Sequence, residues 1–252
     1  MIILKKLFLI ICIVAFLAFY CYADDSCCWY IVKRGNNTPG FPKDADEVKT
    51  LGGLYIDEKS IAGGDKKLYL TFDAGYENGN IEKILDVMKK ENVKGAFFIL
   101  SNLIDKNPDL VKRMADEGHL VCNHTYNHKD LTKLGDDEII DNLHRLELQY
   151  KEATGKEMEK FFRFPEGRYD SRVLRLLCEN GYSTVFWSMA YDDWDNSRQM
   201  SLDKAKQKLL STTHDGAIIL LHPTSATNAE ILEDLICEWR LRGYSFGTLK
   251  DL

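Results

Sequence analysis

Three patterns are missing from this chain of 252 residues, and each absence argues against a class of protein. The seven cysteines include no C-x-x-C pair, so neither a zinc knuckle nor a dithiol redox site is indicated. Lys and Arg total 33 against 39 Asp and Glu, a formal net charge of -6 without a basic cluster, which argues against a nucleic-acid partner. No G-x-G-x-x-G motif follows the first regular strand pattern, which argues against a nucleotide-binding open sheet.

The first 23 residues have the pattern of a targeting segment. Lys5 and Lys6 precede an apolar run over residues 7–22, and Ala23 ends a triplet with the small residues that cleavage requires. The run is slightly long for a signal core and slightly short for a membrane span, so a cleaved signal peptide and an uncleaved anchor both remain open. Either reading predicts export to the cell surface or extracytoplasmic space, with a membrane tether in the second case.

Residues 24–64 are rich in glycine and proline and predict a turn-rich arm with a short strand at 54–56. From residue 65 onward, short apolar runs alternate with longer amphipathic segments, as in a parallel sheet covered by helices. This pattern predicts an α/β fold, an incomplete or distorted βα barrel of about seven parallel strands with the arm packed on it. The predicted strands are 68–72, 95–100, 119–123, 161–164, 183–188, 217–222 and 245–247. The predicted helices are 81–91, 109–117, 136–154, 171–180, 202–213 and 228–242.

Polar residues fall where these strands end, and the chemistry of βα barrels gathers at that edge. His124 and His128 are four residues apart, so on a helical turn both imidazoles would face one divalent ion. Taken singly, such a residue more often caps a turn, forms a structural ion pair or lies in the core. Their coincidence at successive strand ends favours a functional site. The residues at or after strand ends are Asp73, His124, Arg163, Asp193, Trp194 and His222.

Five motifs occur in order along the chain: Thr71-Phe72-Asp73, His124-Thr125-Tyr126-Asn127-His128, Arg163-Phe164-Pro165-Glu166-Gly167, Asp193-Trp194 and Leu220-Leu221-His222. Their order and spacing resemble the NodB-type polysaccharide deacetylases, carbohydrate esterase family 4. The resemblance covers residues 65–252 as a catalytic domain and implies a hydrolase that removes N-acetyl groups from amino sugars of peptidoglycan or chitin. The runs 71–79 and 185–190 are most similar to the delta-lactam-biosynthetic deacetylases, which act on muramic acid in the spore cortex.

The chemistry of an unactivated acetamide requires these residue types. His124 and His128, with Asp73, would hold a divalent ion (zinc, cobalt, manganese or magnesium) that polarises the carbonyl and acidifies a water. Asp73 would accept the proton of that water, and His222 would protonate the leaving amine. Arg163 would keep Asp73 ionised.

The remaining predicted residues orient groups or contact the sugar. Asp193 would orient His222 and favour its charged form, and a backbone N–H after Pro165 would stabilise the oxyanion. Trp194 would form a wall of the acetyl pocket, although an aromatic side chain there is as often packing. Tyr76, Glu166 and Arg168 are the other predicted substrate contacts.

Four positions depart from the pattern that the resemblance implies. Ala74 stands where most members have a second aspartate as a metal ligand, and the lactam-type relatives also lack that aspartate. Ala190 stands three residues before Asp193, where an aspartate is usual. Phe164 and Glu166 replace a proline and, in lactam-type members, a basic residue that meets the muramic carboxylate. Glu166 would repel that carboxylate, and Arg168 is a candidate to take over the contact.

The sequence therefore predicts a metal-dependent peptidoglycan deacetylase acting on muramic acid on the way to the delta-lactam of sporulation. Glu166 keeps open a deacetylase of N-acetylglucosamine in peptidoglycan or chitin-like oligomers. Ala74 keeps open a non-catalytic glycan-binding module on the same scaffold. Peptidoglycan glycan strands are the predicted partner, and no protein partner is predicted.

Overall fold

The computed structural model describes residues 26–34 and 37–252, so the predicted targeting segment at 1–23 lies outside it. No helix among the described residues combines the length and apolar character needed to cross a bilayer. The strands are β1 (Cys27–Cys28), β2 (Val32–Arg34), β3 (Asn37–Gly40), β4 (Lys67–Ala74), β5 (Ala96–Ile99), β6 (Leu120–Asn123), β7 (Glu159–Phe162), β8 (Arg168–Tyr169), β9 (Ser183–Thr184), β10 (Ala217–Leu221) and β11 (Ser245–Gly247). The helices are α1 (Ala45–Thr50), α2 (Glu58–Gly63), α3 (Ile81–Lys90), α4 (Ser101–Lys106), α5 (Pro108–Asp116), α6 (Asp136–Thr154), α7 (Ser171–Glu179), α8 (Leu202–Thr212) and α9 (Ala226–Leu241).

The core of the molecule is a seven-stranded sheet in the order β10-β4-β5-β6-β7-β9, with β11 also paired to β4. Every pairing in this sheet is parallel. The predicted α/β fold, a distorted barrel of about seven parallel strands, is confirmed. The six predicted helices are present within two residues at either end. The sequence prediction missed α1, α2 and α4, because six residues are too few to show a helical repeat.

Alternation along β4 decides which of its side chains face the barrel interior. Leu70 and Phe72 pack in the cluster formed with the surrounding helices. Tyr69 instead packs with interior side chains of neighbouring strands, such as Phe98. Because successive strand residues point to opposite faces, Asp73 continues the face of Tyr69 and lies at the carboxyl-end mouth of the barrel.

The segment between α1 and α2 lies in the gap between the two edges of the sheet. Leu54 pairs in parallel with Val185, just after β9, and Ile56 pairs antiparallel with Ala217 of β10. The N–H of Leu54 donates to the Thr184 carbonyl at 2.7 Å. In place of the short strand predicted at 54–56, the structure has two isolated bridges, and they form a seam between the β9 side and β10. The predicted boundaries at residues 24, 64 and 65 stay predictions.

Gly216 allows the backbone at Asp57, next to this seam, to lie close to the start of β10. Its φ is +73°, in the left-handed region, and a Cβ there would collide with the backbone carbonyl of Asp57. The N–H of Asp57 donates to the Gly216 carbonyl at 2.9 Å. Only glycine satisfies both requirements without strain.

Candidate active site

The carboxyl ends of the strands surround an open cleft of about 780 Å³. Asp73 reaches it from β4, His124 and His128 from the loop after β6, and His222 from the end of β10. Arg163 and Asp193 lie directly behind these side chains, buried at 0% and 1% exposure. The structure therefore brings together all the residues predicted to act in catalysis or metal binding.

The His124–His128 segment is a loop, so the predicted helical turn is wrong. Thr125 and His128 have φ values of 74° and 58°, in the left-handed region that interrupts a helix. The Asn123 side chain accepts the N–H of Thr125 at 2.9 Å, and the Thr125 hydroxyl accepts the N–H of His128 at 2.8 Å. These bonds bring the two imidazole centroids to 5.1 Å.

The buried imidazole of His124 is held with one nitrogen free. Its Nδ1–H donates to the Arg163 carbonyl at 2.8 Å, because a carbonyl can only accept. Nε2 then carries the lone pair and lies 3.7 Å from Asp73 Oδ2. Burial, opposed by Asp73 and assisted by His128, lowers the pKa of His124 to about 4. His124 is therefore neutral at pH 7, the state that a metal ligand requires.

Arg163 fixes the carboxylate of Asp73. Its Nη1 donates to Asp73 Oδ1 at 2.9 Å, and its Nη2 donates to the Thr71 hydroxyl at 2.8 Å. The guanidinium also lies 4.2 Å from the centre of the Phe98 ring. Burial is the largest influence on Asp73 and favours its neutral form. The charge and hydrogen bond of Arg163, with the nearby His124 and His222, outweigh burial and lower the pKa of Asp73. Asp73 thus carries a negative charge at neutral pH.

Asp193 holds His222 in the same way on the opposite side of the cleft. Its two carboxylate oxygens accept the backbone N–H and the ring Nδ1–H of His222, each at 2.8 Å. The Asn228 side chain also donates to Asp193 at 2.6 Å. Burial is the largest influence on His222 and disfavours its charged form, but the hydrogen bond and charge of Asp193, with Asp73, raise the pKa of His222 above its usual value. This geometry ties Nδ1 of His222 to Asp193 and leaves Nε2 available at the cleft.

We expect Asp193→Asn to move the alkaline limb of the kcat/KM profile for deacetylation to lower pH. The reacting form needs protonated His222, so activity falls as pH rises through the pKa of His222. Removing the Asp193 charge lowers that pKa and brings the fall to lower pH. A pH profile of acetate release from wild type and variant measures the shift, and an unmoved limb would show that His222 is not the group that titrates.

The donor set fits a divalent ion, although no group of three or more His, Cys, Asp or Glu is preformed as a metal site among residues 26–34 and 37–252. Two adjacent imidazoles, one with its free nitrogen directed at a carboxylate, suit zinc or a similar metal. Ala74 is fully buried and supplies no ligand. The protein therefore offers His124, His128 and Asp73 as the candidate ligands.

The structure places three of the four predicted substrate contacts at the cleft and the fourth away from it. Trp194 and Tyr76 line the cleft with 62% and 45% of their surfaces exposed. Glu166 also lines it, with a φ of 56°. Arg168 is not brought to the cleft: its Nε lies 3.4 Å from Asp130, and the nearest Glu166 oxygen is 3.9 Å from Nη2.

Sequence reasoning missed three residues of the site. Lys33 on β2 and Asp192 line the cleft, and Asn228 at the start of α9 supports Asp193. Lys33 lies in the turn-rich arm, where neither periodicity nor a motif distinguishes it. The sequence held one weak indication of Asn228, which is its position near the start of a predicted helix shortly after the strand-end residue His222.

Comparisons with known proteins agree with this geometry. The family model described as polysaccharide deacetylase matches residues 60–185. The peptidoglycan-N-acetylmuramic acid deacetylase PdaA of Bacillus subtilis is 42% identical over 188 residues, which cover 75% of this chain and 72% of that protein. The solved structure of PdaA, a family 4 carbohydrate esterase, superposes with a TM-score of 0.86 at 36% identity, over 91% of this chain and 97% of that one.

A second type of relative differs in its named substrate. The peptidoglycan-N-acetylglucosamine deacetylase PgdA of Listeria monocytogenes is 31% identical over 199 residues, which cover 79% of this chain and 41% of that protein. The family predicted from the five motifs is confirmed by these matches. The chain belongs to the polysaccharide deacetylase family, hydrolases that act on carbon–nitrogen bonds other than peptide bonds.

Proposed function

We propose that this protein is a metal-dependent deacetylase of peptidoglycan amino sugars, with N-acetylmuramic acid as its preferred substrate. The observation that carries the proposal is the pair of oriented ionisable groups across one cleft, Asp73 held by Arg163 and His222 held by Asp193. The similarity to relatives named as peptidoglycan deacetylases supports the substrate class. The general metal dependence of this family supports the cofactor.

Asp73 and His222 divide the proton transfers of the hydrolysis. An ion held by His124, His128 and Asp73 would supply Lewis acidity to the acetamide carbonyl and to a water. Asp73 accepts the proton from the attacking water, since Arg163 keeps its carboxylate ionised and directed at the cleft. His222 donates a proton to the nitrogen, so that the C–N bond breaks with the departure of a neutral amine.

The turn at Pro165–Gly167 offers a donor for the oxyanion. The N–H of Gly167 already donates to the Phe164 carbonyl at 3.0 Å. Glu166 is the residue after Pro165 and lines the cleft in a left-handed conformation, and its N–H would stabilise the developing negative charge. Trp194 covers the acetyl side of the cleft as an exposed aromatic wall.

Deacetylation of N-acetylglucosamine is the second candidate. Its support is the pair of observations that Glu166 faces the cleft and that Arg168 lies against Asp130 instead. A carboxylate at the lip would repel the lactyl carboxylate that distinguishes muramic acid from glucosamine. A neutral sugar suffers no such repulsion.

Under the first proposal, the protein acts outside the cytoplasm on glycan strands of the cell wall or spore cortex. Removal of acetate from a peptide-free muramic residue exposes an amine beside its lactyl carboxylate. Loss of water between these groups gives the muramic delta-lactam. The predicted export segment supports this location, as a signal peptide or as a membrane tether.

Acetate release by the full chain tests the proposal. The substrates are glycan strands whose muramic residues lack peptides and N-acetylglucosamine oligomers, with the enzyme stripped by chelator and then given zinc, cobalt, manganese or magnesium. We expect release only with metal, and faster release from muramic strands. Faster release from the oligomers would favour the second candidate. Glycan binding without release under any metal would overturn both and support a binding module.

A further inference from the structure

Lys33 is the single lysine or arginine among the described residues that line the cleft. The acidic side chains there are Asp73, Glu166 and Asp192. Asp73 is already paired with Arg163 behind the cleft. The cleft therefore has one fixed cation of its own, on the side formed by β2.

Lys33 lies where its charge faces the cleft with little neutralisation. It borders both the main cleft and a small adjoining pocket, and Ile31 and Ala190 line both of these with it. Lys33 and Ala190 thus border the same part of the cleft wall. Alanine at position 190 leaves the ammonium without an acidic partner there. No carboxylate among the described residues is within ion-pair distance, and Asp192 acts through its charge alone.

A second cation stands beside the first. Burial, followed by the adjacent Lys208 on α8, lowers the pKa of Lys33, while Asp192 opposes this effect. Two ammonium groups side by side repel each other, and a bound anion removes that repulsion. Lys33 therefore provides a positive position in the lining of the cleft, with Lys208 next to it, and Glu166 provides a negative position.

We propose that Lys33 binds the lactyl carboxylate of a muramic residue through a charge-assisted hydrogen bond and so selects muramic acid over glucosamine. The inference rests on the proposed deacetylation and deepens it. Repulsion from Glu166 and attraction to Lys33 favour the same binding pose, in which the carboxylate lies nearer to Lys33 than to Glu166. This arrangement removes the conflict between Glu166 and a muramic substrate.

Lys33→Gln tests the inference with three substrates. These are peptide-free muramic strands, the same strands with the lactyl carboxylate converted to its methylamide, and N-acetylglucosamine oligomers. We expect KM to rise about tenfold for the carboxylate strands, with kcat little changed, and both constants to stay the same for the two neutral substrates. Lys33→Arg keeps the positive charge, so its KM for the carboxylate strands is expected to stay close to that of wild type.

Lys206→Gln is the matched control. It also removes one lysine charge, but Lys206 lies on α8, outside the cleft, and pairs with Asp234. It is expected to change KM for no substrate. An unchanged KM of Lys33→Gln for carboxylate strands would overturn the inference. An equal loss on all three substrates would also overturn it, because that result indicates a structural role for β2.

Binding separates this inference from the proposed function. Calorimetry with metal-free wild type and Lys33→Gln compares the carboxylate strands with their methylamide form. A preference of about tenfold for the carboxylate in wild type, absent in the variant, supports the role of Lys33 even if no acetate is released. Equal affinity of wild type for both forms overturns it, whatever the activity.

Discussion

Asp73→Asn is expected to lower kcat for acetate release by about a thousandfold, within the range for loss of a general base. Asparagine has the same size and still accepts a hydrogen bond from Arg163, but it cannot take a proton from water. The variant should still fold and bind glycan, although it leaves the buried Arg163 without its carboxylate partner and so lowers the free energy of unfolding. Steady-state acetate release and calorimetric glycan binding measure the two effects separately.

Metal content and a matched variant make the Asp73 result specific. Because Asp73 Oδ2 lies 3.7 Å from His124 Nε2, the variant's bound metal must be measured and saturated before its rate is compared. Asp192→Asn removes the same charge from the same cleft without touching Arg163 or the histidines, and it should keep kcat within a few fold. A rate for Asp73→Asn within tenfold of wild type would remove Asp73 from the role of base.

Arg163→Met is expected to lower the free energy of unfolding by about 3–5 kcal/mol, the usual cost of breaking a buried ion pair from one side. Arg163 is fully buried, and its loss leaves the Asp73 carboxylate without its cation in the barrel mouth. The Val185 carbonyl, which accepts from Arg163 Nε at 3.0 Å, also loses a donor. Methionine fills similar apolar volume, so the effect reports mainly on charge and hydrogen bonding.

Urea unfolding followed by circular dichroism measures this loss. Arg172→Met is the matched control, because Arg172 pairs with Asp136 at the surface, where an ion pair contributes about 1 kcal/mol or less. Equal effects of the two variants would contradict the buried role of Arg163. Activity of Arg163→Met should fall as well, since the variant also loses the charge that lowers the pKa of Asp73.

The regular part of the fold was predictable because its signals are local. The helix Asp136–Thr154 has the bounds that its amphipathic pattern predicts. Strand β4 ends one residue after Asp73, and strand β10 ends one residue before His222. Strand-end position alone was enough to place most of the candidate site. The roles of these residues stay predictions until they are tested.

Local patterns failed where the backbone or a distant partner decides the outcome. The spacing of His124 and His128 suggested a helical turn, but left-handed Thr125 and His128 produce the same proximity within a loop. Arg168 seemed available to the cleft, yet Asp130, nearly forty residues earlier in the chain, holds it elsewhere. Lys33 reaches the cleft only because the arm folds over the barrel, which no short window of sequence reveals.

The seam at Leu54 and Ile56 has a consequence for the order in which the chain folds. Ile56 is made early in synthesis, yet its partner Ala217 stands 161 positions later. Closing so long a loop carries an entropic cost that nearer contacts do not, and such pairings slow folding. The strands from β4 to β9 can assemble first, and the segment at Leu54 and Ile56 can complete its pairing only after β10 has formed. The β2 side of the cleft, including Lys33, is therefore expected to be among the last parts of the molecule to form.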